Sequence, residues 1–340
     1  MKPVTLKQIA ETLGLSVATV SKALRNYPDV SEKNKKLVND LAKSLNYVPN
    51  PSAVNLRTQK SKTIGVIIPA TVHHFFSNVI NGILEVAEKE GYLVILMQSN
   101  ENYELEKRHV DLLINKNVDG ILMSLSNKTN NFSHIKKILD FGIPLTLFDK
   151  ISKSVNCSKV IIDDKTAAYN AVTYLIKKGH KKIAHFRGDL IPQNSIDRFL
   201  GYKQALIDNN IPYDASLVFM CNNNNDFKDG YNAAKILHKN FGDSVDAIFC
   251  ITDVVATGAL KYFRDNSIKV PEDIALFGFS DWFMSSVITP TLSTVHQPGF
   301  EMGKESAKIL LDEINNKYKG KTVSYKTVVL DTKLVIRESC

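Results

Sequence analysis

The sequence predicts a small all-α domain at the N-terminus, followed by a two-lobed α/β body built on doubly wound parallel sheets. Three observations support this division. Short amphipathic helices joined by a glycine turn fill residues 1–49, and a proline-containing stretch covers residues 50–62. From residue 63 to residue 340, apolar strands alternate with amphipathic helices. A chain of 340 residues is long enough for two or three compact units.

The composition is that of an ordinary globular protein, with 44% hydrophobic and 23% charged residues. No apolar run approaches the roughly 20 residues of a membrane helix, and the first residues enter an amphipathic pattern without a signal peptide. Four scattered cysteines form no CxxC pair and no metal-ligand spacing. We therefore expect a cytoplasmic protein with free thiols, no metal, no cofactor and no membrane contact.

The positive charge is concentrated in the first fifth of the chain. Residues 1–62 hold 11 Lys/Arg against 4 Asp/Glu, whereas the remainder holds 32 against 31. A basic module beside a neutral body is expected when that module neutralises the phosphates of a nucleic acid. Because a charged run alone is more often a solvated surface, the charge supports a nucleic-acid motif and does not replace one.

The first two helices have the pattern of a helix-turn-helix. Thr5 is a candidate N-cap for a helix Leu6–Leu13, Gly14 suits the positive φ of the turn, and Ser16 is a candidate cap for a helix Val17–Leu24. Such a turn places the second helix in the DNA major groove. The positions expected to face inward are Ile9, Ala10, Leu13, Val20, Ala23 and Leu24. Those left outside are Val17, Ala18, Ser21 and Lys22.

A third helix is predicted from Ser31 to Leu45, with Ser31 as its N-cap. Its apolar face is expected to consist of Leu37, Val38, Leu41 and Leu45, which would close a three-helix core. Asn46 ends the helix. The amphipathic ring of Tyr47 can pack inward while its hydroxyl reaches a phosphate.

The run from Ser52 to Arg57 is a candidate hinge helix, preceded by Pro49 and Pro51. About six residues are too few for a stable isolated helix, because helix nucleation is costly. We expect the run to be unfolded away from DNA and to fold on binding. The alternative is an ordinary interdomain linker in which Leu56 is incidental.

The body shows two series of alternating strands and helices. The first has strands TIGVIIPA, LVILMQS, DGILMSL and PLTLFD, with helices at 76–91, 104–117 and 132–141. The second has strands KKIAHFRGD, SLVFM, DAIFCIT and DIALFGFSD, with helices at 165–178, 195–209, 227–241 and 254–266. A helix at 301–317 returns to the first lobe. The expected lobes are about 63–161 with 291–323, and about 162–290 with 324–340. A cleft between the strand ends of two such lobes is where these folds bind ligands.

The stretch VTLKQIAETLGLSVATVSKALRNYPDVSEKNKKLVNDLAKSLNYVPNPSAVNLR resembles the N-terminal domain and hinge of the lactose-repressor (LacI/GalR) family. The body resembles the same family and periplasmic sugar-binding proteins, most clearly in GHKKIAHFRG and DIALFGFSD. The resemblance implies base contacts from Val17, Ala18 and Lys22 in the major groove. It implies contacts to the DNA backbone from Thr5, Leu6, Ser16, Thr19, Ser21, Asn26 and Ser31. Tyr47 is a further candidate for such a contact, because its hydroxyl can reach a phosphate. The hinge residues implied at the minor groove are Asn50, Ala53, Leu56 and Arg57, with Leu56 wedged between the central base pairs.

In the cleft, the resemblance implies that Asp149, Arg198 and Asp281 hydrogen-bond ligand hydroxyls, a set that suits a vicinal diol. Phe75 and Phe76 match an aromatic pair that stacks on the ligand. Further lining positions are Phe227, Thr252 and Asp253, and Trp282 is a candidate aromatic wall. His73 and His74 form an adjacent pair that suits a cleft rim better than a metal site.

The function implied is a ligand-responsive transcriptional regulator, foremost a repressor that binds near-palindromic double-stranded operator DNA as a homodimer. The expected effector is a sugar or a related small polar metabolite. We expect a dimer because the chain ends three residues after Arg337, without the leucine-rich helix of family tetramers. The alternatives are a cytoplasmic sugar-binding protein and a regulator activated by a nucleobase or partner corepressor. An enzyme is disfavoured because the sequence has no GxSxG, GxxxxGK or HExxH motif.

Overall fold

The computed structural model describes residues 4–48, 60–71, 74–221 and 226–340. The chain divides into two units, Met1–Ser61 and Lys62–Cys340. The N-terminal unit has helices α1 (Leu6–Leu13), α2 (Val17–Ala23) and α3 (Glu32–Ser44). Each helix begins at the predicted cap, because the hydroxyl oxygens of Thr5, Ser16 and Ser31 accept a backbone N–H of the first turn. The helix α1 ends at Gly14, whose φ of 63° a side chain would strain.

The core of this unit differs from the expectation at α3. The helix buries Lys35, Val38 and Ala42, whereas Leu37 and Leu45 are 45% and 38% exposed. Leu37 is wrongly placed because it lies about 100° around the helix from Val38. Leu45 lies on the correct stripe, but it is the C-cap residue and extends past the end of the core. The inward positions Ile9, Ala10, Val20 and Ala23 are buried as predicted.

The first sheet of the body has six parallel strands in the order β11-β5-β4-β3-β1-β2. Its strands are β1 (Thr63–Ile68), β2 (Leu93–Gln98), β3 (Gly120–Met123), β4 (Leu145–Phe148), β5 (Ser158–Ile162) and β11 (Thr327–Leu330). The connecting helices are α4 (His74–Lys89), α5 (Tyr103–Asn115) and α6 (Ser133–Asp140). The strands β1, β3 and β4 are almost wholly buried, as expected when helices cover both faces.

The second sheet has four parallel strands in the order β7-β6-β8-β9. Its strands are β6 (Ile183–Arg187), β7 (Val218–Met220), β8 (Ala247–Cys250) and β9 (Ala275–Phe277). The flanking helices are α7 (Asp164–Lys177), α8 (Gln193–Asp208), α9 (Phe227–Phe241) and α10 (Asp253–Asp265), with 3₁₀ turns at Ala215–Leu217, Gly242–Ser244 and Phe283–Ser286. The predicted two-lobed α/β architecture is therefore present.

The final segment crosses between the lobes, and part of the expected division is wrong. Residues 324–340 were expected in the second lobe, but β11 extends the six-stranded sheet beside β5, because Val328 and Leu330 pack on its core. The strand β12 (Lys333–Val335) then pairs antiparallel with β10 (Thr294–His296). The C-terminus does reach the second lobe, where the N–H of Leu276 donates to the Ser339 carbonyl at 2.8 Å.

The long helix α11 (Gly299–Tyr318) returns to the first lobe and packs on α4. The two helices approach so closely that glycine is required at the contact. A Cβ on Gly82 would lie 2.1 Å from the Phe300 carbonyl oxygen, and one on Gly303 would lie 2.0 Å from the Val79 carbonyl oxygen. This close packing of α11 on α4 holds α11 in the first lobe, where the sequence predicted that the helix returns.

Candidate functional site

A cavity of about 590 Å³ lies between the two lobes, where the carboxyl ends of their strands meet. The first lobe presents Gln98 at the end of β2, Asn127 after β3 and Asp149 after β4. The second lobe presents Asp189 after β6 and Thr252 after β8. This volume suits a small-molecule ligand. The sequence-predicted residues that line the cavity are Phe75, Phe76, Asp149, Arg198, Phe227, Thr252, Asp253 and Trp282.

Arg198 is held rigidly at the cavity wall. Its Nε donates to the Asp164 carboxylate at 2.7 Å and its Nη1 donates to the Ile251 carbonyl at 2.8 Å. The guanidinium carbon lies 3.6 Å from the centre of the Phe279 ring. Burial, with Asp149 nearby, raises the pKa of Asp164 to about 7 despite the guanidinium. Arg198 therefore carries a structural role in the second lobe in addition to its place on the wall.

Asp149 presents a buried carboxylate with little support from the protein. Its backbone has a φ of 56°, an uncommon conformation for a residue other than glycine. One oxygen accepts a hydrogen bond of 3.3 Å from Asn194 of the opposite lobe. Burial raises the pKa of Asp149, although Lys150 and Arg198 oppose that shift. The residue lies on the wall as the sequence predicted and helps to bridge the two lobes.

An ion-paired cluster that the sequence analysis missed forms another part of the wall. The Lys150 ammonium donates to Glu101 and to the Asn127 side-chain oxygen, both at 2.5 Å. Glu101 also accepts the backbone N–H of Asn127 at 2.5 Å. All three side chains are buried. They follow β2, β3 and β4, so their position at strand ends was the available signal.

Aromatic rings come from both lobes. Phe75 and Phe76 contact each other edge to face, with ring centres 5.2 Å apart. The His74 ring lies 5.6 Å from that of Phe283 in the second lobe. Trp282, the only tryptophan of the sequence, lines the cavity beside Phe283. His74 thus lies at the cleft as expected, while His73 lies outside the described residues.

Asp253 supports the cavity wall through hydrogen bonds to neighbouring residues. Its carboxylate accepts hydrogen bonds from Thr294 at 2.6 Å, from the Trp282 N–H at 2.7 Å and from Ser285 at 2.9 Å. Burial raises the pKa of Asp253 to about 6. Since its oxygens are already engaged, Asp253 acts mainly by holding the loop that carries Trp282. Thr252 similarly caps α10 through the N–H of Val255.

The structure does not bring Asp281 to the cavity. Its carboxylate accepts hydrogen bonds from Arg337 at 2.7 Å and from His296 at 2.9 Å, on the side facing the C-terminal segment. The neighbouring Ser280, with a φ of 118°, lines the cavity instead and donates to Gln297 at 2.8 Å. The expected third ligand-binding carboxylate is therefore replaced on the wall by a hydroxyl and an amide.

Four side chains of the wall carry buried polar atoms that have no hydrogen-bond partner among the described residues. These atoms are Asn127 Nδ2, Asp189 Oδ2, Ser195 Oγ and Gln297 Nε2. The other Asp189 oxygen accepts from Lys128 of the opposite lobe at 3.1 Å. Because buried polar atoms are rarely left unpaired, such a concentration around one cavity indicates a polar ligand.

The predicted DNA-contacting residues of the N-terminal unit form a largely exposed surface. Val17 and Ala18 are exposed on α2, and the Lys22 ammonium pairs with Asp29. Ser16 and Thr19 share a hydrogen bond of 2.8 Å at the start of the helix. The backbone-contact positions Thr5, Asn26 and Ser31 are exposed, while Leu6, Ser21 and Tyr47 are half-buried. The predicted hinge residues Asn50, Ala53, Leu56 and Arg57 lie outside the described residues.

Comparison with known proteins identifies the family. Residues 61–333 match the family described as "Periplasmic binding proteins and sugar binding domain of LacI family". Residues 5–50 match "Bacterial regulatory proteins, lacI family". The chain belongs to the LacI family. It is accordingly a ligand-responsive, DNA-binding transcriptional regulator and not an enzyme, with the repressor-type architecture that the sequence predicted.

Individual relatives of this LacI-family chain match over nearly its full length. The HTH-type transcriptional regulator RegA of Clostridium acetobutylicum is 35% identical over 99% of each chain. A transcriptional regulator CelR–cellobiose complex has a TM-score of 0.75 at 26% identity, covering 99% of this chain and 100% of that one. The lac repressor dimer bound to operator and the anti-inducer ONPF shares the fold, with a TM-score of 0.84 at 24% identity over 99% of each chain. No helix among the described residues is long and apolar enough to span a membrane.

Proposed function

We propose that this LacI-family protein is a homodimeric repressor whose affinity for a near-palindromic operator is set by a sugar or sugar derivative in the interlobe cavity. The unpartnered polar atoms of the cavity wall carry this proposal. Asn127 and Gln297 offer N–H donors, Asp189 offers an acceptor, and the Ser195 hydroxyl is both. A ligand with several hydroxyls can satisfy donors and acceptors together, while the aromatic rings cover its apolar faces.

The homodimer is supported by an apolar surface on the first lobe. The strand β2 lies at the edge of its sheet and exposes Leu93 and Leu96, with Leu93 65% exposed. Leu84 on α4 and Leu112 on α5 are also exposed. An open sheet edge beside exposed leucines is expected to be covered in a stable protein. A second copy of this chain is the occupant we propose, since each copy supplies one recognition helix and a palindromic operator needs two.

The DNA-reading surface is proposed to be the exposed side of α2. Val17 and Ala18 offer only apolar contacts, for instance to thymine methyl groups, and Lys22 donates to guanine. Lys22 must leave its pair with Asp29 to do so. The hinge residue Leu56 is proposed to wedge between the central base pairs and to transmit the ligand response. The cytoplasmic location stays a prediction from the sequence.

The test of the ligand site uses Ser195→Ala. The Ser195 hydroxyl has no partner among the described residues, so its removal should leave the fold as stable as before or slightly more stable. A ligand that uses the hydroxyl should bind about five to ten times more weakly, corresponding to about 1–1.4 kcal/mol. Affinity is read from Trp282 fluorescence during titration with neutral and amino monosaccharides and disaccharides.

Ser306→Ala is the matched control. Ser306 is a buried serine on α11 that donates to the Met302 carbonyl at 2.7 Å, outside the cavity, and its loss should not change ligand affinity. The proposed ligand site is wrong if Ser195→Ala binds every ligand as tightly as the wild type. Operator titration in the presence of the ligand separates a regulator from a plain sugar-binding protein. The same titration shows whether the ligand weakens operator binding and releases DNA, or strengthens operator binding as a corepressor does.

A further inference from the structure

The charges around the cavity are unbalanced, and this imbalance restricts the ligand further than its polarity does. Among the described residues, six carboxylates lie on the wall or pair directly with it, against three lysine and arginine cations. The carboxylates are Glu101, Asp149, Asp164, Asp189, Asp226 and Asp253, and the cations are Lys128, Lys150 and Arg198. The wall therefore carries an excess of three negative charges when all these groups are ionised.

Three of the carboxylates are compensated by ion pairs. Glu101 lies 2.5 Å from the Lys150 ammonium, and Asp164 lies 2.7 Å from Nε of Arg198. Asp189 lies 3.1 Å from the Lys128 ammonium. Each cation near the wall is thus already assigned to one acid. None of these three ion pairs includes Asp149, Asp226 or Asp253.

The three remaining acids differ in their burial and in the number of hydrogen bonds that they accept from neutral groups. Asp253 accepts three hydrogen bonds, two from the loop that carries Trp282 and one from Thr294 of β10. Asp226 is half-buried and caps α9 through the N–H of Asp229 at 3.0 Å. Asp149 is only 7% exposed and accepts a single hydrogen bond of 3.3 Å. It forms no ion pair among the described residues, so it is the least satisfied buried charge of the cavity.

A buried carboxylate without a counterion is costly, and two responses can relieve the cost. The carboxyl can take up a proton, a response that its raised pKa favours. Alternatively, the ligand can bring a cation. The aromatic rings on the same wall favour the second response, because the faces of Phe75, Phe227 and Trp282 attract a cation as well as a sugar face.

We propose that the effector carries a protonated amine, as in an amino sugar, and that Asp149 is its counterion. The inference rests on the proposed function, because it assumes a polyhydroxylated ligand in this cavity. The hydroxyls of such a ligand would meet the unpartnered atoms of Asn127, Ser195 and Gln297. Its ammonium would donate to Asp149 and lower the negative excess of the wall by one charge.

The test is a comparison of matched sugar pairs by calorimetric titration of the full-length protein, below the pKa of the amine. Suitable pairs are D-glucosamine with D-glucose, D-galactosamine with D-galactose, and D-mannosamine with D-mannose. The amino member of the pair that binds should bind at least about tenfold more tightly, since a charge-assisted hydrogen bond replaces a neutral one. In Asp149→Asn, the ratio of the two affinities should fall to about one.

Asp331→Asn removes an exposed acid between β11 and β12, outside the cavity, and should leave the ratio unchanged. A neutral sugar that binds as tightly as its amino partner would overturn the inference while leaving the proposed function intact. An amine preference that survives in Asp149→Asn would also overturn it. If no sugar of any pair binds, the inference is overturned, whereas the proposed sugar ligand is judged by the wider titration with disaccharides described above.

Discussion

The Arg198–Asp164 pair allows the sharpest prediction about stability. Both side chains are more than nine-tenths buried, and Arg198→Ala removes the donor at 2.7 Å while leaving the Asp164 carboxylate without a counterion. The change also removes the hydrogen bond to the Ile251 carbonyl and the contact with Phe279. Breaking a buried ion pair in this way costs about 3–5 kcal/mol, so Arg198→Ala should lower the free energy of unfolding by that amount near pH 8.

The loss should depend on pH in a defined direction. Burial raises the folded-state pKa of Asp164 from 3.8 to about 7, so the folded protein holds this proton more tightly than the unfolded chain does. Stability from this group is therefore gained as the pH falls through about 7 and lost as the pH rises. Without the guanidinium the folded-state pKa should rise further. The penalty of Arg198→Ala should consequently be smaller near pH 6 than near pH 8.

The assay is urea unfolding followed by the fluorescence of Trp282, which reports on the Lys62–Cys340 unit. Lys261→Ala is the matched control, because it breaks an exposed pair with Asp265 and should cost less than about 1 kcal/mol. A loss for Arg198→Ala no larger than that of the control would refute the reasoning. So would a penalty that grows as the pH falls. Loss of ligand response in Arg198→Ala must be judged against this loss of stability.

Three further predictions concern the hinge, the helix packing and the N-terminal cap. Leu56→Ala should weaken operator binding in a gel-shift titration without changing ligand affinity, and equal operator affinity would rule out the wedge. Gly230→Ala should lower the free energy of unfolding of the body by about 1–3 kcal/mol, because the added Cβ would lie 1.9 Å from the Val255 carbonyl oxygen. An unchanged melting midpoint would contradict that close approach. Thr5→Ala should cost the N-terminal unit about 1 kcal/mol by removing the α1 cap, measured by circular dichroism.

Local signals made much of the fold predictable from the sequence. The capping residues Thr5, Ser16 and Ser31 mark the helix starts within one residue, because short-range hydrogen bonds decide them. The strand β5 and the placement of β11 were not anticipated. Burial alternates along both strands, but their short sequences, SKVII and TVVL, do not alternate polar and apolar residues. Their pairing also joins residues far apart in the chain, such as Thr327 and Lys159.

The cavity was predicted in part. Asp149 was found because it directly follows a predicted strand in a segment that resembles the family, and Arg198, which lies within α8, was found from the resemblance alone. The amides Asn127 and Gln297 were missed, because their position after the strands β3 and β10 was the only signal and an uncharged amide there resembles an ordinary loop residue. Asp281 was misplaced by one position because the loop after β9 carries Ser280 at φ 118° and Asp281 at φ 52°. Two successive residues with positive φ turn their side chains in directions that no periodicity predicts.

Binding of a ligand in the interlobe cavity should be coupled to binding of the operator, and reciprocal titration tests this coupling most directly. Ligand affinity is measured by Trp282 fluorescence with and without saturating operator DNA, and operator affinity is measured with and without saturating ligand. Linkage requires the two affinities to change by the same factor, typically about 5–150-fold. We expect both affinities to change, by equal factors in the two directions. A ligand that binds the cavity with the same affinity whether or not operator is present would contradict it.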